Sequence, residues 1–347
     1  MAYISFSPKD YFNSVLYTGN GSTNAITGTG FQPDWVWCKK RNSAQDHGAV
    51  DAVRGVTKVV YPNLNSAEST DANSVTAFGT DGFTLGSSGD FNQNSDTYVS
   101  WNWKAGGGQG SSNTDGSINT TYTSANTTAG FSISKYTGTG SNATIGHGLG
   151  SVPSVVLVKK TSGTGDWIGY FKSLGNTKNA RLNETDAADT NSTVWNATDP
   201  TSLVFSVGTF GETNGSGDTF VAYCFAEKKG FSKFGSYTGN GNADGTFVYT
   251  GFKPAFVMVK RSSGTESWQM TDSVRDKDVS PNFARLVTNA SSAESTNTTW
   301  AKIEKFSNGF KLGGTDTVSN GSGSTYIYMA FAEEPLVSSN EVPATAR

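Results

Sequence analysis

Val152-Pro-Ser-Val-Val-Leu-Val-Lys-Lys160 decides the fold. Its apolar residues do not alternate with polar ones. Val155-Val-Leu-Val158 is too short and too β-branched for a helix, so the run reads as a central strand covered on both faces. The same phrase occurs twice more, as Gly30-Phe-Gln-Pro-Asp-Trp-Val-Trp-Cys-Lys-Lys-Arg41 and Gly251-Phe-Lys-Pro-Ala-Phe-Val-Met-Val-Lys-Arg261. Working outward, a Tyr-Thr-Gly string beginning at Tyr17, Tyr136 or Tyr237 precedes each copy. A second strand-like run closes each: Asp96-Thr-Tyr-Val-Ser-Trp-Asn-Trp-Lys-Ala105, Asp218-Thr-Phe-Val-Ala-Tyr-Cys-Phe-Ala-Glu227 and Ser324-Thr-Tyr-Ile-Tyr-Met-Ala-Phe-Ala-Glu333. Three anchors in one order predict an all-β chain of three tandem homologous β-sandwich (jelly-roll or lectin-like) repeats.

The expected bounds are an attachment segment over 1–16, repeats over 17–105, 131–228 and 229–334, a linker over 106–130 and a tail over 335–347. Gly106-Gly-Gly-Gln-Gly-Ser-Ser-Asn113 reads as a flexible connector. Copies two and three are therefore expected to pack together while copy one hinges. Tyr3, Ile4, Phe6, Tyr11 and Phe12 are the candidate apolar anchors of the first segment. Asp81-Gly82 and Asn308-Gly309, each flanked by apolar residues, signal hairpin turns in copies one and three. Helix is expected to stay below about 15 %, well under the ordinary third.

Composition narrows function. Charged residues are 16 % and aromatics 12 %, with net charge −3, so the chain is folded, and a nucleic-acid footprint is not expected. No run of ~18 apolar residues marks a membrane-crossing helix, and no secretory leader is read at Met1–Asp10. Cys38 and Cys224 sit in apolar runs and read as free buried thiols. Two histidines and two cysteines are too few for a zinc cluster. No Gly-x-Ser-x-Gly elbow opens a helix, and no close carboxylate pair marks a glycosidase strand, so no catalytic residue is assigned and no enzyme is expected. His147, in Gly146-His-Gly148, reads as a turn imidazole. No cofactor is expected. The Asp- and Asn-rich loops at 89–96, 212–218 and 316–320 offer oxygens that would suit calcium, but the same residues make Asx-turns.

One further pattern survives alignment of the copies. After each Pro-led strand come Asp46-His47-Gly-Ala-Val-Asp51-Ala-Val-Arg54, Asp166-Trp167-Ile-Gly-Tyr-Phe171 and Ser267-Trp268-Gln-Met-Thr-Asp272-Ser-Val-Arg275. A ring at His47, Trp167 or Trp268 is followed, in copies one and three, by Asp51 with Arg54 and by Asp272 with Arg275. Two readings fit. Either the charges form a structural ion pair closing a turn, or ring, carboxylate and guanidinium together make a sugar platform. The seven residues Trp268, Asp272, Arg275, His47, Asp51, Arg54 and Trp167 are thus the candidate ligand site.

Ser112-Asn-Thr-Asp-Gly-Ser-Ile118, Ala125-Asn-Thr-Thr-Ala-Gly-Phe-Ser-Ile133, Ile145-Gly-His-Gly-Leu149, Gly217-Asp-Thr-Phe-Val-Ala-Tyr-Cys-Phe-Ala-Glu227 and Gly230-Phe-Ser-Lys-Phe-Gly-Ser-Tyr-Thr-Gly-Asn-Gly241 resemble the repeats of a family of tailed-bacteriophage structural proteins described as tail-fibre or lectin-like (concanavalin/laminin-G-like). The resemblance runs over 11–347. It implies a virion protein assembled in the host cytoplasm, exposed on the particle, partnered by other virion proteins and by host-surface glycan, and homo-oligomeric, with a trimer favoured. Only about sixteen residues precede the first Tyr-Thr-Gly, which gives weight to a capsid decoration or head fibre with a purely structural role. A bacterial surface adhesin is the third reading.

Overall fold

The computed structural model describes residues 6–276, 283–297 and 302–335. Strand accounts for 45 % of the chain and helix for 3 %. The Pro-led phrases form the strands Trp35–Lys40, Val155–Lys160 and Phe252–Arg261. Each lies between a closing strand (Thr97–Trp103, Thr219–Phe225, Thr325–Pro335) and a return strand (Gly48–Asp51, Trp167–Phe171, Gln269–Asp272). Each closing strand pairs on its far side with an opening strand, Phe12–Thr18, Phe131–Thr137 or Ser232–Thr238. All these pairings are antiparallel.

The order opening, closing, Pro-led, return therefore recurs three times, in units one, two and three. The registers correspond. Tyr17 lies opposite Tyr98, Tyr136 opposite Phe220 and Tyr237 opposite Tyr326, each pair stacked with centroids 4.9–5.2 Å apart.

The missing alternation in the Pro-led strands has a direct cause: both faces are buried. On one face a small sheet of the same unit covers the strand. In unit one it is built from Asn24–Thr27, Val75–Gly79 and Gly82–Leu85, and its Ile26, Phe83 and Leu85 pack with Val36, Cys38 and Val50. Each unit is thus sandwich-like. The opposite face enters a core common to all three units, where Trp35, Trp37 and Trp103 meet Leu157 and Phe225, and Phe256, Met258 and Phe331. The cavity left among these side chains is only about 10 Å³.

Three expectations are corrected. Copy one does not hinge, since it contributes four tryptophans to the common core. The segment 106–130 is not a free linker: Tyr122–Asn126 adds as a strand to the opening strand of unit two. Its glycines present bare amides to a carboxylate, for Ala105, Gly107 and Gly108 donate to the buried Asp34 at 2.7, 2.9 and 2.8 Å. Composition shows the glycines but not their acceptor. Residues 12–16 belong to unit one, because Phe12 begins its opening strand and is buried against Trp103 and Phe331, while Phe6 and Tyr11 pack on Phe231; Tyr3, Ile4 and the tail from 336 lie outside the described residues.

The hairpins occur where expected but one residue out of register. Thr80 and Asp81 form the turn and Gly82 starts the next strand at φ 149°. A Cβ on Gly82 would overlap the Ile26 carbonyl oxygen, so close strand approach explains this glycine. Cys38 and Cys224 are free and buried. Among the described residues no helix is long and apolar enough to cross a membrane.

Candidate functional site: the seams between units

The ring at the start of each return strand points not outward but into the neighbouring unit. Trp167 Nε1 donates to the Tyr61 carbonyl of unit one at 2.9 Å, and Trp268 Nε1 donates to the Arg181 carbonyl of unit two at 2.8 Å. His47 Nε2 lies 3.0 Å from the Val287 carbonyl of unit three. Two to one, three to two, one to three: the contacts close a ring. Because the Trp37 indole can only donate, its 3.0 Å bond to His47 Nδ1 makes that nitrogen the acceptor and places the imidazole proton on Nε2, facing Val287. The histidine is neutral. Burial, reinforced by the neighbouring Lys39 charge, pushes its pKa down to about 3.

The same cyclic order governs the lysines that end the Pro-led strands. Lys39 Nζ donates to the Ser291 carbonyl, Lys159 to that of Asn65 and Lys260 to that of Thr185, each across a seam at 3.1–3.2 Å. A second carbonyl within its own unit completes each one: Lys40, Gly165 and Arg261. Burial holds each ammonium down, to about 8. Backbone bonds add to the ring in the opposite sense, from Glu68 N–H to Thr161, Ala188 N–H to Ser262 and Glu294 N–H to Arg41.

The Asp–Arg pairs lie at the same seams. Asp51 binds Arg54 Nε at 2.5 Å and accepts the Tyr223 hydroxyl of unit two at 2.7 Å. Asp272 binds Arg275 Nε at 2.6 Å and accepts Trp101 Nε1 of unit one at 2.9 Å, with the guanidinium 5.5 Å from the Trp101 ring. Each arginine also reaches an acidic residue of its own unit, Glu68 at 3.2 Å or Glu294 at 3.1 Å. All four Asp and Arg side chains are sealed from solvent. Glu294 adds a bidentate link across the seam to Arg41, at 2.8 and 2.9 Å, and these guanidinium partners hold its carboxyl below the usual range against the opposing effect of burial.

Unit two carries no counterpart of these charges, and the loss is concerted. Where units one and three have Asp, Arg and Glu, unit two has Phe171, Leu174 and Ala188. The residue of unit three at the position of Tyr223 and Trp101 is Met329, which has no strong donor. Phe171 and Met329 belong to the common core, and Leu174 packs against it. Four positions thus change together, as desolvation requires. A buried ion pair needs its hydrogen-bond donor, and removing the whole set for apolar groups leaves nothing unpaired.

The sugar-platform reading does not fit this arrangement. Trp167 and Trp268 are 0 % and 1 % exposed, and His47 is fully buried, so no ring face is open to a pyranose. The ion-pair reading describes Asp51–Arg54 and Asp272–Arg275, with an addition the sequence did not supply: each pair takes its remaining donor from another unit.

A further motif escaped the sequence reading although its signal was present. Asn63-Leu-Asn-Ser-Ala-Glu-Ser-Thr70 and Asn289-Ala-Ser-Ser-Ala-Glu-Ser-Thr296 are near-identical, and Asn183-Glu-Thr-Asp-Ala-Ala-Asp-Thr190 is their degenerate copy. The Asn side chains accept the backbone N–H of His47, Trp167 and Trp268 at 2.8–2.9 Å, which fixes the rings.

In the loops weighed for calcium, amide side chains occupy the centre. Asn92, Asn214 and Asn320 are buried and each donates to two carbonyls of its own loop system, while Asp96 and Asp218 pair with Lys40 and Lys160. Among the described residues no group of three or more His, Cys, Asp or Glu is placed to hold a metal. His147 is a turn imidazole: it accepts Leu149 N–H and its other nitrogen meets the Thr201 carbonyl, and burial lowers its pKa.

These features define a class: an all-β chain whose sandwich-like units are locked around one core by buried seams. More specifically, the chain belongs to the family described as a domain of unknown function, DUF7483, whose model matches residues 7–335. No curated protein matches it. The match spans all three units.

Proposed function

We propose that this chain is a non-enzymatic structural protein of a bacteriophage particle, carried on the outside of the virion as a decoration or short appendage and held there by other virion proteins. The phage assignment rests on the resemblance of the strings at 112–118, 125–133 and 217–241 to tailed-phage structural repeats. The observation that favours a structural role over receptor binding is the ring itself. Every aromatic and charged group that suggested a ligand site is engaged between units, which is what a load-transmitting body requires. A single chain with three units in cyclic order also presents the outline of a trimer, so it suits a symmetric mounting point without two further copies.

The test is direct. Particles purified from cells producing the phage that encodes the chain are analysed by mass spectrometry and cryo-electron microscopy. The chain is expected in fixed stoichiometry, as a three-lobed density on the particle surface. Its absence from purified particles would overturn the proposal. A receptor-glycan role keeps one specific foothold, the exposed rings Phe247 and Tyr249 on the outer strand Asp244–Tyr249 of unit three. Under that reading, Tyr249→Ala reduces host-cell adsorption.

A further inference from the structure

Unit three differs from unit one at a second set of buried positions, and again the change is concerted. Unit one has Val50 on its return strand, Gly55 just after it, and Phe78 on the hairpin strand opposite Phe83. Thr271, Asp276 and Lys305 take the same places in unit three, with Lys305 opposite Phe310. Unit two keeps glycine at the middle position, and Gly55 and Gly175 both have positive φ, 98° and 84°. A turn glycine and two apolar residues have thus become a carboxylate, a hydroxyl and an amine.

These side chains sit where the two layers of unit three meet. Lys305 belongs to the strand Lys302–Phe306 of the small sheet, whereas Asp276 follows the return strand Gln269–Asp272 of the main sheet. Lys305 Nζ donates to Thr271 Oγ1 at 3.1 Å and to Asp276 Oδ2 at 3.3 Å. The lysine side chain is 2 % exposed and the aspartate 5 %. The neighbouring carboxylate, Asp272, is held by Arg275 and Trp101. Two opposite charges taken out of water recover their lost hydration only with excellent geometry, and the Lys305–Asp276 contact is longer than a charge-assisted bond usually is. Burial pushes the Lys305 ammonium down and the Asp276 carboxyl up. Both shifts move the pair towards free amine and neutral acid, the two forms that condense to an amide.

We propose that Lys305 and Asp276 are joined by an intramolecular isopeptide bond, formed on folding between Lys305 Nζ and Asp276 Cγ, which staples the two layers of unit three. The ammonium passes one proton to Asp276 Oδ2 across their hydrogen bond. The amine then attacks Cγ, and the N–C bond forms. A second proton follows from Nζ to Oδ2, the Cγ–Oδ2 bond breaks, and Oδ2 leaves as water. Nothing is oxidised or reduced, and no outside reactant enters. Thr271 steadies the nitrogen by accepting one of its hydrogen bonds. Folding supplies the remaining drive, because fixed reactants need no bimolecular encounter. The product is a neutral amide where two buried charges stood.

Intact-mass spectrometry of the full chain tests this directly. The folded protein is expected to be one water lighter than the same chain recovered in denaturant without having folded, which should lose that water on refolding. A tryptic digest should contain residues 276–277 joined to residues 303–311, since trypsin does not cleave after an acylated lysine. Lys305→Arg and Asp276→Ala should each keep the full mass. Full mass for the folded, unaltered protein, with residues 303–305 released as a separate peptide, would overturn the proposal and leave an ion pair. A lost water that maps to Asp81-Gly82, or that persists in Lys305→Arg, would overturn it equally.

Discussion

Removing Asp272 should distinguish a seam from a ligand platform in a single experiment. In the native state its carboxylate accepts Arg275 Nε at 2.6 Å, the Arg275 backbone N–H at 3.0 Å and Trp101 Nε1 at 2.9 Å. Asp272→Ala leaves a guanidinium sealed from solvent with Glu294, already shared with Arg41, as its carboxylate partner, which costs about 3–5 kcal/mol. It also orphans the Trp101 indole N–H, for a further ~1 kcal/mol. The expected loss is therefore about 4–6 kcal/mol. At roughly 2.1 cal/mol/K per residue, the whole chain unfolds with an entropy of about 0.7 kcal/mol/K, so the melting temperature should fall by about 6–9 °C. Calorimetry on the two proteins measures this.

The decisive companion is the fourfold variant Asp272→Phe, Arg275→Leu, Glu294→Ala and Trp101→Met, which copies the seam between units two and three. It removes Asp272, Arg275 and Glu294 together with their donor and leaves Arg41, whose side chain is 23 % exposed, to solvent, so it should recover more than half of the loss. A drop of under 2 °C for Asp272→Ala would place the carboxylate at an exposed site. A fourfold variant less stable than the single one would show that the concerted exchange in unit two does not reflect desolvation.

His47 makes acid stability informative. Its pKa is about 3 folded and near 6.5 unfolded, so the unfolded chain binds the extra proton; the contribution is intact above pH ~6.5 and declines by about 1.4 kcal/mol per pH unit as pH falls towards 3. His47→Trp, the residue of the other two units, should flatten that slope in urea unfolding at pH 7, 5.5 and 4.5, and parallel curves would count against the neutral-imidazole assignment. Trp268→Ala should cost about 3–5 kcal/mol as a core truncation, read by chemical denaturation. Asn214→Ala, which deletes two donor bonds to backbone carbonyls, one of them buried, and one acceptor bond, should cost about 2–4 kcal/mol and speed amide exchange in the loops at 138–141 and 208–214.

Much of this was legible in the chain. The unalternating Val155-Val-Leu-Val158 gave away a strand buried twice over, and the three Tyr-Thr-Gly anchors fall opposite corresponding residues of the closing strands. What lay on the second buried face was not legible. Period and propensity report that Trp35 or Met258 is covered, not whether its own unit or another does the covering. The same gap misdirected the candidate site: an aromatic followed by Asp and Arg looks alike on a sugar platform and in a seam.

The signal that separates them was nevertheless in the sequence. Phe171, Leu174, Ala188 and Met329 replace the charges and donor as a set, and a free surface would have no reason to lose them together. The glycines at 106–108 misled for a different reason. Flexibility is a property of unbonded glycine, and the Asp34 carboxylate that binds these lies some seventy residues earlier.

The central claim is that the three units are held as one body by cross-seam donors buried in the native state. Hydrogen exchange of the indole N–H groups, followed by NMR on protein labelled with ¹⁵N-tryptophan, tests it most directly. Trp101, Trp167 and Trp268 each donate across a different junction: three to one, one to two, and two to three. All three are predicted to exchange only through global unfolding, with one common free energy that matches the value from denaturation. Exchange of any of the three at the rate of an exposed indole, while the core amides of its unit stay protected, would contradict the account.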